Sequence, residues 1–267
     1  MKKCLLFMLY AFFLLISCST VPITGRQQLN LVSSHELNAV SFKSYNDFLS
    51  QHKVIGSTEQ AQIVKRVGRR IQTAVEQYFA ENNSSARLEG YEWEFNLVDD
   101  ATINAWCMPG GKVVVYTGIL PIAKDEPGLA VVMGHEIAHA VANHGNERMS
   151  QSLLLNMGGV ALATALSAKP QETKNLFLTI YGLGSQVGLV LPYSRVQESE
   201  ADHLGLIFMA MAGYNPNNAL EFMQRMENSA KGSATPQFLS THPSDQTRID
   251  NIKKLIPEAM KYYRKQQ

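Results

Sequence analysis

AVVMGHEIAHAVANHGNERMS, residues 130–150, decides how the rest of the chain is read. Within it His135, Glu136 and His139 stand in an HExxH arrangement inside an apolar, helix-competent run. On an α-helix residues four apart share a face, so the two imidazoles can close on one cation while Glu136 lines the same wall. Two neutral imidazoles plus a carboxylate suit zinc, which leaves a position open for water and lowers its pKa toward ~7. Glu136 is then placed to take that water's proton. Leu129, Val131, Val132, Ile137, Ala138 and Val141 make the helix a buried one, and buried histidines need partners. Asp125 is the expected N-cap, with Pro127 in the first turn, and Gly145 is expected to end the helix.

A catalytic zinc needs a third protein ligand from further along the chain. SRVQESEADHLG, residues 194–205, offers Glu198, Glu200 and Asp202 on an expected helix with Ala201, Leu204 and Ile207 for burial. Glu198 and Asp202 are four apart and share a face, so the first can bind metal while the second accepts an imidazole N–H from a ligand. A solvated charged turn fits the same cluster, so the residues alone leave the third ligand open.

Between the start of the chain and the HExxH helix the periodicity changes twice. Ser33 with Glu36 resembles a capping box and opens a helix to about Gln51. A second helix is expected from about Thr58 to Ala80, burying Ile63, Val67, Ile71, Ala74, Val75 and Tyr78. From Tyr91 the period is two: Tyr91, Trp93, Phe95 and Leu97 alternate with Glu92, Glu94 and Asn96, as in a half-buried strand. In INAWCMPGGKVVVYTGIL, Pro109-Gly110-Gly111 separates two extended segments, and Pro109 puts part of this on a sheet edge. An extended peptide can add to such an edge through main-chain hydrogen bonds, although an ordinary hairpin has the same pattern. The apolar runs 152–168 and 176–191 are broken by Asn156 and several glycines and fall short of about twenty clean residues. They are expected to be packed helices lining the cleft rather than membrane spans.

The first eighteen residues, MKKCLLFMLYAFFLLISC, have a basic start and an apolar core too short for a comfortable span, the pattern of an export signal. Leu15-Ile16-Ser17-Cys18 looks like a bacterial lipobox, which makes 1–17 a lipoprotein signal peptide and Cys18 the lipidated first mature residue. Ser19 favours the outer membrane, facing the periplasm. Residues 18–32 lack periodicity and are expected to be a tether, reaching roughly 50 Å at full extension. Cys4 leaves with the signal and Cys18 is modified, so Cys107 remains alone and no intramolecular disulfide is expected. It reads as a small buried hydrophobe. The 267 residues, 45% hydrophobic and 18% charged, suffice for one sizeable core. Without Lys2 and Lys3 the 24 basic residues fall to 22 against 23 acidic ones, which gives no reason to expect nucleic acid.

PITGRQQLNLV (22–32), NAWCMPGGKVVVYTG (104–118), HEIAHAVANHGNERMS (135–150), SRVQESEADHLG (194–205) and THPSDQTR (241–248) stand in the order found in the M48 family of zinc metallopeptidases, which the chain resembles over most of its mature length. Its layout resembles the short periplasmic lipoproteins of that family more than the heat-shock proteases and CAAX prenyl endopeptidases with their transmembrane helices. The tetratricopeptide repeats of longer periplasmic members are not expected. The resemblance implies an α+β, zincin-like (gluzincin) domain over 33–267, mostly helical, with a small sheet whose edge strand flanks the active-site helix. It implies one Zn2+ per chain on His135, His139 and Glu198, Glu136 as general base, and Asp202 behind a ligand. It also implies that His242 and Arg248 act in the site, binding the oxyanion or positioning substrate, while an extended substrate lies along Asn104, Ala105, Trp106, Cys107 and Met108. In Ser240-Thr241-His242-Pro243 the composition suggests a loop, on which His242 is either a transition-state donor or a movable fourth ligand that closes the site. The expected function is a zinc endopeptidase degrading misfolded or misassembled envelope proteins. The alternative is a chaperone or assembly factor for outer-membrane proteins with proteolysis secondary. Expected partners are unfolded or extended polypeptides, the membrane through the N-terminal lipid, and outer-membrane protein assembly machinery.

Overall fold

The computed structural model describes residues 18–157, 170–181, 193–231 and 236–263. Residues 1–17, expected to be a signal peptide, and the greater part of the two apolar runs, 158–169 and 182–192, lie outside the described residues. No described helix is long and apolar enough to cross a membrane.

Helix α1 (Ser34–Gln51) begins where expected: the Ser33 hydroxyl accepts the Glu36 N–H at 3.3 Å and donates to the Glu36 carboxylate at 2.6 Å. Thr58 caps α2 (Glu59–Glu81). Its buried stripe is Val64, Val67, Ile71, Ala74, Val75 and Tyr78, and Ile63, expected on that stripe, is only partly buried. Val64 takes its place because it lies three residues before Val67, on the side facing the sheet.

Four strands form the sheet in the order β3 (Val54–Ile55), β4 (Glu94–Val98), β6 (Lys112–Tyr116), β5 (Ala105–Met108). Strands β5 and β6 are antiparallel, with Ala105 opposite Val115 and Met108 opposite Lys112. The turn between them needs two left-handed residues, supplied by Gly110 (φ 79°) and Gly111 (φ 82°). Because β4 runs parallel to β6 and beside it, the hairpin leaves β5 at the edge. Strand β4 starts at Glu94, so Tyr91 and Trp93 precede it. Strand β6 is buried on both faces with a period of two: Val113 and Val115 join the larger core, while Val114 and Tyr116 join a second cluster with Tyr45 and Trp106 under α1.

The larger core packs α2, the sheet and two helices against one another: α4 (Glu126–Val141) and α7 (Arg195–Met211). Asp125 caps α4, accepting the Gly128 N–H at 3.0 Å. The helix ends at Val141, before the expected stop: Asn143 adopts the left-handed conformation (φ 59°), and Gly145 falls in the first turn of α5 (His144–Met157). A side chain on Gly145 would collide with the Tyr181 hydroxyl, so its role is close approach rather than helix termination. Helices α4 and α7 touch through glycine: a Cβ on Gly134 would lie 3.0 Å from the Gly205 carbonyl oxygen, and one on Gly205 3.0 Å from the His135 nitrogen. That contact brings the first two turns of α7 up to the HExxH residues. Along the chain, α3 (Leu120–Ala123) precedes α4, α6 (Pro170–Ile180) follows α5, and α8 (Asn218–Ala230), α9 (Gln237–Thr241) and α10 (Gln246–Ala259) follow α7.

Residues 18–32 are not an extended tether. Strands β1 (Cys18–Thr20) and β2 (Gln27–Leu29) pair antiparallel, and the hairpin is held on the domain. Val21 is 1% exposed, the Gln28 amide donates to the Ala142 carbonyl at 2.8 Å, and the Asn146 amide donates to that of Val32 at 2.8 Å. The segment lacks hydrophobic periodicity because polar and main-chain bonds, rather than an apolar stripe, hold it to the end of α4.

Candidate metal centre

One turn of α4 puts His135 Nε2 and His139 Nε2 3.1 Å apart. Glu198, on the first turn of α7, faces both: its Oε1 lies 3.3 Å from His139 Nε2 and its Oε2 3.5 Å from His135 Nε2. His242 follows α9 and completes the group, its Nδ1 standing 2.9 Å from Glu198 Oε1 and 3.1 Å from His135 Nε2. One ligand atom from each of these four buried side chains lies within 4.8 Å of all the others. His242 is not on a free loop. Ser240 and Thr241 belong to α9, the His242 N–H donates to the Phe238 carbonyl at 2.9 Å, and the side chain is 2% exposed.

The hydrogen bonds around the group fix which ring nitrogens carry lone pairs. His144 Nε2 faces Glu200 Oε2 at 3.1 Å, so it donates, and the Nδ1 of a neutral His144 must accept. Burial lowers the His144 pKa and keeps the ring neutral. The proton in the 2.9 Å contact between the two Nδ1 atoms therefore belongs to His139, and its Nε2 lone pair points into the cluster. His135 Nδ1 donates to Asp202 Oδ1 at 3.0 Å, which leaves its Nε2 pointing to the same place. Two lone pairs cannot sit 3.1 Å apart unless a proton or a cation lies between them. Burial drives the His139 pKa well below its usual value; against the same burial, Glu198 and Asp202 raise that of His135 to about 9.

The donor set fits zinc. Despite burial, which raises it, the Glu198 pKa is held well below the usual range by His242 and Arg248, so Glu198 stays anionic. Its Oε2 makes no hydrogen bond of good geometry, although it is ion-paired with Arg248, and it is one of two such buried carboxylate oxygens here. The other is Glu136 Oε1, 3.3 Å from His242 Nε2 at an angle that forms none. Burial raises the Glu136 pKa and makes it a better base.

Arg248 is more occupied than an oxyanion donor would be. Its Nε and Nη2 each donate to Asp202 at 2.8 Å, and Nη1 lies 2.6 Å from Glu198 Oε2. In this arrangement the guanidinium braces two carboxylates. On the other side of Glu136, Asn104 and, on the edge strand β5, Trp106 and Cys107 face Tyr181, Tyr193 and His242 across a cleft whose free volume is about 20 Å3, room for a water and not for a peptide. Met108, at 0% exposed, does not reach that cleft. Burial pushes the Cys107 thiol up, which makes it an inert wall. The Cys18 side chain lies outside what is described.

Four residues of this environment were not singled out by sequence reasoning. The Tyr193 ring stacks on His139 at 3.9 Å between centroids. His144 bonds His139, and Arg26 and Glu147 meet near Glu200. His144 could have been found, since it follows His139 by five residues in one buried run, and Arg26 carries no local signal at all.

A sequence model of peptidase family M48 matches residues 66–256. The chain is 34% identical over 244 residues to the mitochondrial metalloendopeptidase OMA1 of Schizosaccharomyces pombe, covering 90% of this chain and 66% of that protein. It is 31% identical over 261 residues to human OMA1, covering 95% and 49%. The β-barrel assembly-enhancing protease of Escherichia coli is 27% identical over 161 residues, covering 59% of this chain and 33% of that protein.

Proposed function

The chain belongs to peptidase family M48, and from that premise we propose that it is a zinc-dependent endopeptidase acting on misfolded or misassembled proteins of the cell envelope. The observation that carries the reading is the convergence of two imidazole lone pairs and the anionic Glu198 on one buried point, beside a Glu136 oxygen that makes no hydrogen bond. His135, His139 and Glu198 would hold the zinc, which supplies Lewis acidity toward a scissile carbonyl and the attacking water. Glu136 takes the water's proton and returns it to the leaving amine. Ala105–Met108, the edge strand of the sheet, would orient the substrate as an added strand. Asp202 and Arg248 keep His135 and Glu198 in place.

In this closed arrangement His242 stands with the ligand atoms, and the cleft leaves no room for a peptide. We therefore read it as a fourth donor that must move before substrate enters, rather than as a transition-state donor. Replacing such a donor by alanine should raise basal activity and weaken zinc binding, whereas loss of activity at constant zinc would restore the donor role.

The envelope assignment rests on the lipobox-like Leu15–Cys18 stretch and on the names of the β-barrel assembly-enhancing proteases to which the chain is similar. Chain coverage of 66% and 49% of the two OMA1 proteins leaves a large part of each outside the comparison. Lipid on Cys18 would anchor the domain at the outer membrane. Trapping clients on the Glu136→Gln protein tests the substrate class: envelope polypeptides enriched over the wild type support it, and their absence contradicts it. A Glu136→Gln strain that still assembles outer-membrane proteins normally would favour the chaperone alternative.

A further inference from the structure

The two candidate metal imidazoles must both present Nε2, and His139 does so only if something holds the proton on its Nδ1. That something is a chain of side chains leading to the N-terminal hairpin. His139 Nδ1–H donates to His144 Nδ1 at 2.9 Å, and His144 Nε2–H donates to Glu200 Oε2 at 3.1 Å. Glu200 in turn accepts from Arg26, at 2.9 Å from Nε and 3.0 Å from Nη2, and from the Thr24 hydroxyl at 2.8 Å. The rest of the Arg26 fork grips Glu147 at 2.6 and 2.8 Å, and the Gln197 amide fixes Glu147 from the other side at 2.8 Å. One arginine thus joins the hairpin, α5 and α7. His144 is 0% exposed, so no water competes for its ring nitrogens.

The direction of this chain has a chemical consequence. A carboxylate can only accept, so with a neutral His144 ring the hydrogen-bond geometry gives each donor–acceptor choice up to His139 once Glu200 is in place. If Glu200 swings away, His144 can turn its Nδ1–H toward His139, whose own proton then moves to Nε2 and blocks the metal position. We propose that His144, Glu200 and Arg26 are positioning residues for the metal: they set the tautomer of His139, so that docking of the N-terminal hairpin at Thr24–Arg26 controls how tightly the centre binds zinc. The inference rests on the reading of His139 as a ligand, and it ties the folded hairpin of residues 18–32 to the chemistry 113 residues further on.

Two measurements on the whole chain test it. Nitrogen-15 histidine spectra of the metal-free protein report the tautomer directly, with His139→Ala for assignment. His139 should carry its proton on Nδ1 in the wild type and on Nε2 in Arg26→Gln, a substitution at a side chain that is 29% exposed. Zinc affinity, read by competition with a chromophoric chelator, should weaken ~10- to 100-fold in His144→Leu and several-fold in Arg26→Gln. His203→Ala, which removes a partly buried pair with Glu258 3.1 Å away, should leave zinc affinity unchanged. Should His144→Leu fail to fold, the wild-type spectrum and Arg26→Gln still decide. A wild-type His139 protonated on Nε2, or Arg26→Gln with wild-type tautomer and wild-type affinity, overturns the proposal. Absence of tight zinc binding in the wild type would instead defeat the metal reading, and the tautomer spectrum would still judge the hydrogen-bond chain.

Discussion

His135 and His139 are neighbours on one helix, yet they are held from behind by supports of different reach. Behind His135 stands Asp202, gripped by Arg248, and both side chains touch the site directly: Arg248 also pairs with Glu198. Behind His139 the carboxylate is one step removed, with His144 between, and its arginine comes from a hairpin at the other end of the chain. The difference teaches that one centre can combine a short, rigid brace with a longer one that reports on a distant segment. The short brace is built into the site, and the long one reaches it from the hairpin.

Breaking the short brace should have the larger effect. Asp202→Ala leaves His135 Nδ1 without its acceptor and Arg248 with one carboxylate fewer, and should weaken zinc ~10- to 100-fold, as measured by chelator competition; unchanged affinity would remove Asp202 from the account. The shared edge of the comparison is His242, which faces both imidazoles. His242→Ala should raise peptidase activity measurably while lowering zinc affinity by less than Asp202→Ala does.

The long brace should also be acid-sensitive. Burial raises the Glu200 pKa, but His144, Arg26 and Thr24 bring it down to about 2, against ~4.3 for a free glutamate. A depressed carboxylate contributes stability that is complete above the unfolded value and is lost as pH falls through the folded one. The hairpin should therefore loosen between about pH 4 and pH 2, seen as protease cutting within residues 18–32, and Glu200→Gln should flatten that dependence.

How much of this was legible in the sequence follows from the same contrast. His135, Glu136 and His139 announce themselves because helical spacing converts sequence separation into a shared face, with the caps at Ser33 and Asp125 marking where helices begin, whereas Glu198 and Asp202 stood out from Glu200 only through the family resemblance. Arg26 is invisible to such reasoning: its partners Glu147 and Glu200 lie 121 and 174 residues away, and its own segment has no period. Gly134 and Gly205 were equally silent, since a glycine in a helix signals weakness until its neighbour is known. Gly205→Ala, the smallest change considered, should push α7 from α4 by a few tenths of an ångström, lower the midpoint of thermal unfolding by a few degrees, and loosen zinc only a few-fold. A wild-type thermal midpoint and zinc affinity in that variant would show that the close crossing does not set the geometry.

The most direct test of the central claim compares the whole chain with its Glu136→Gln form for zinc content and for cleavage of an unfolded polypeptide. The account predicts one tightly bound zinc per chain in both, with cleavage lost by several orders of magnitude in Glu136→Gln. Cleavage by Glu136→Gln at the wild-type rate, or a wild-type chain that binds no zinc, would contradict it.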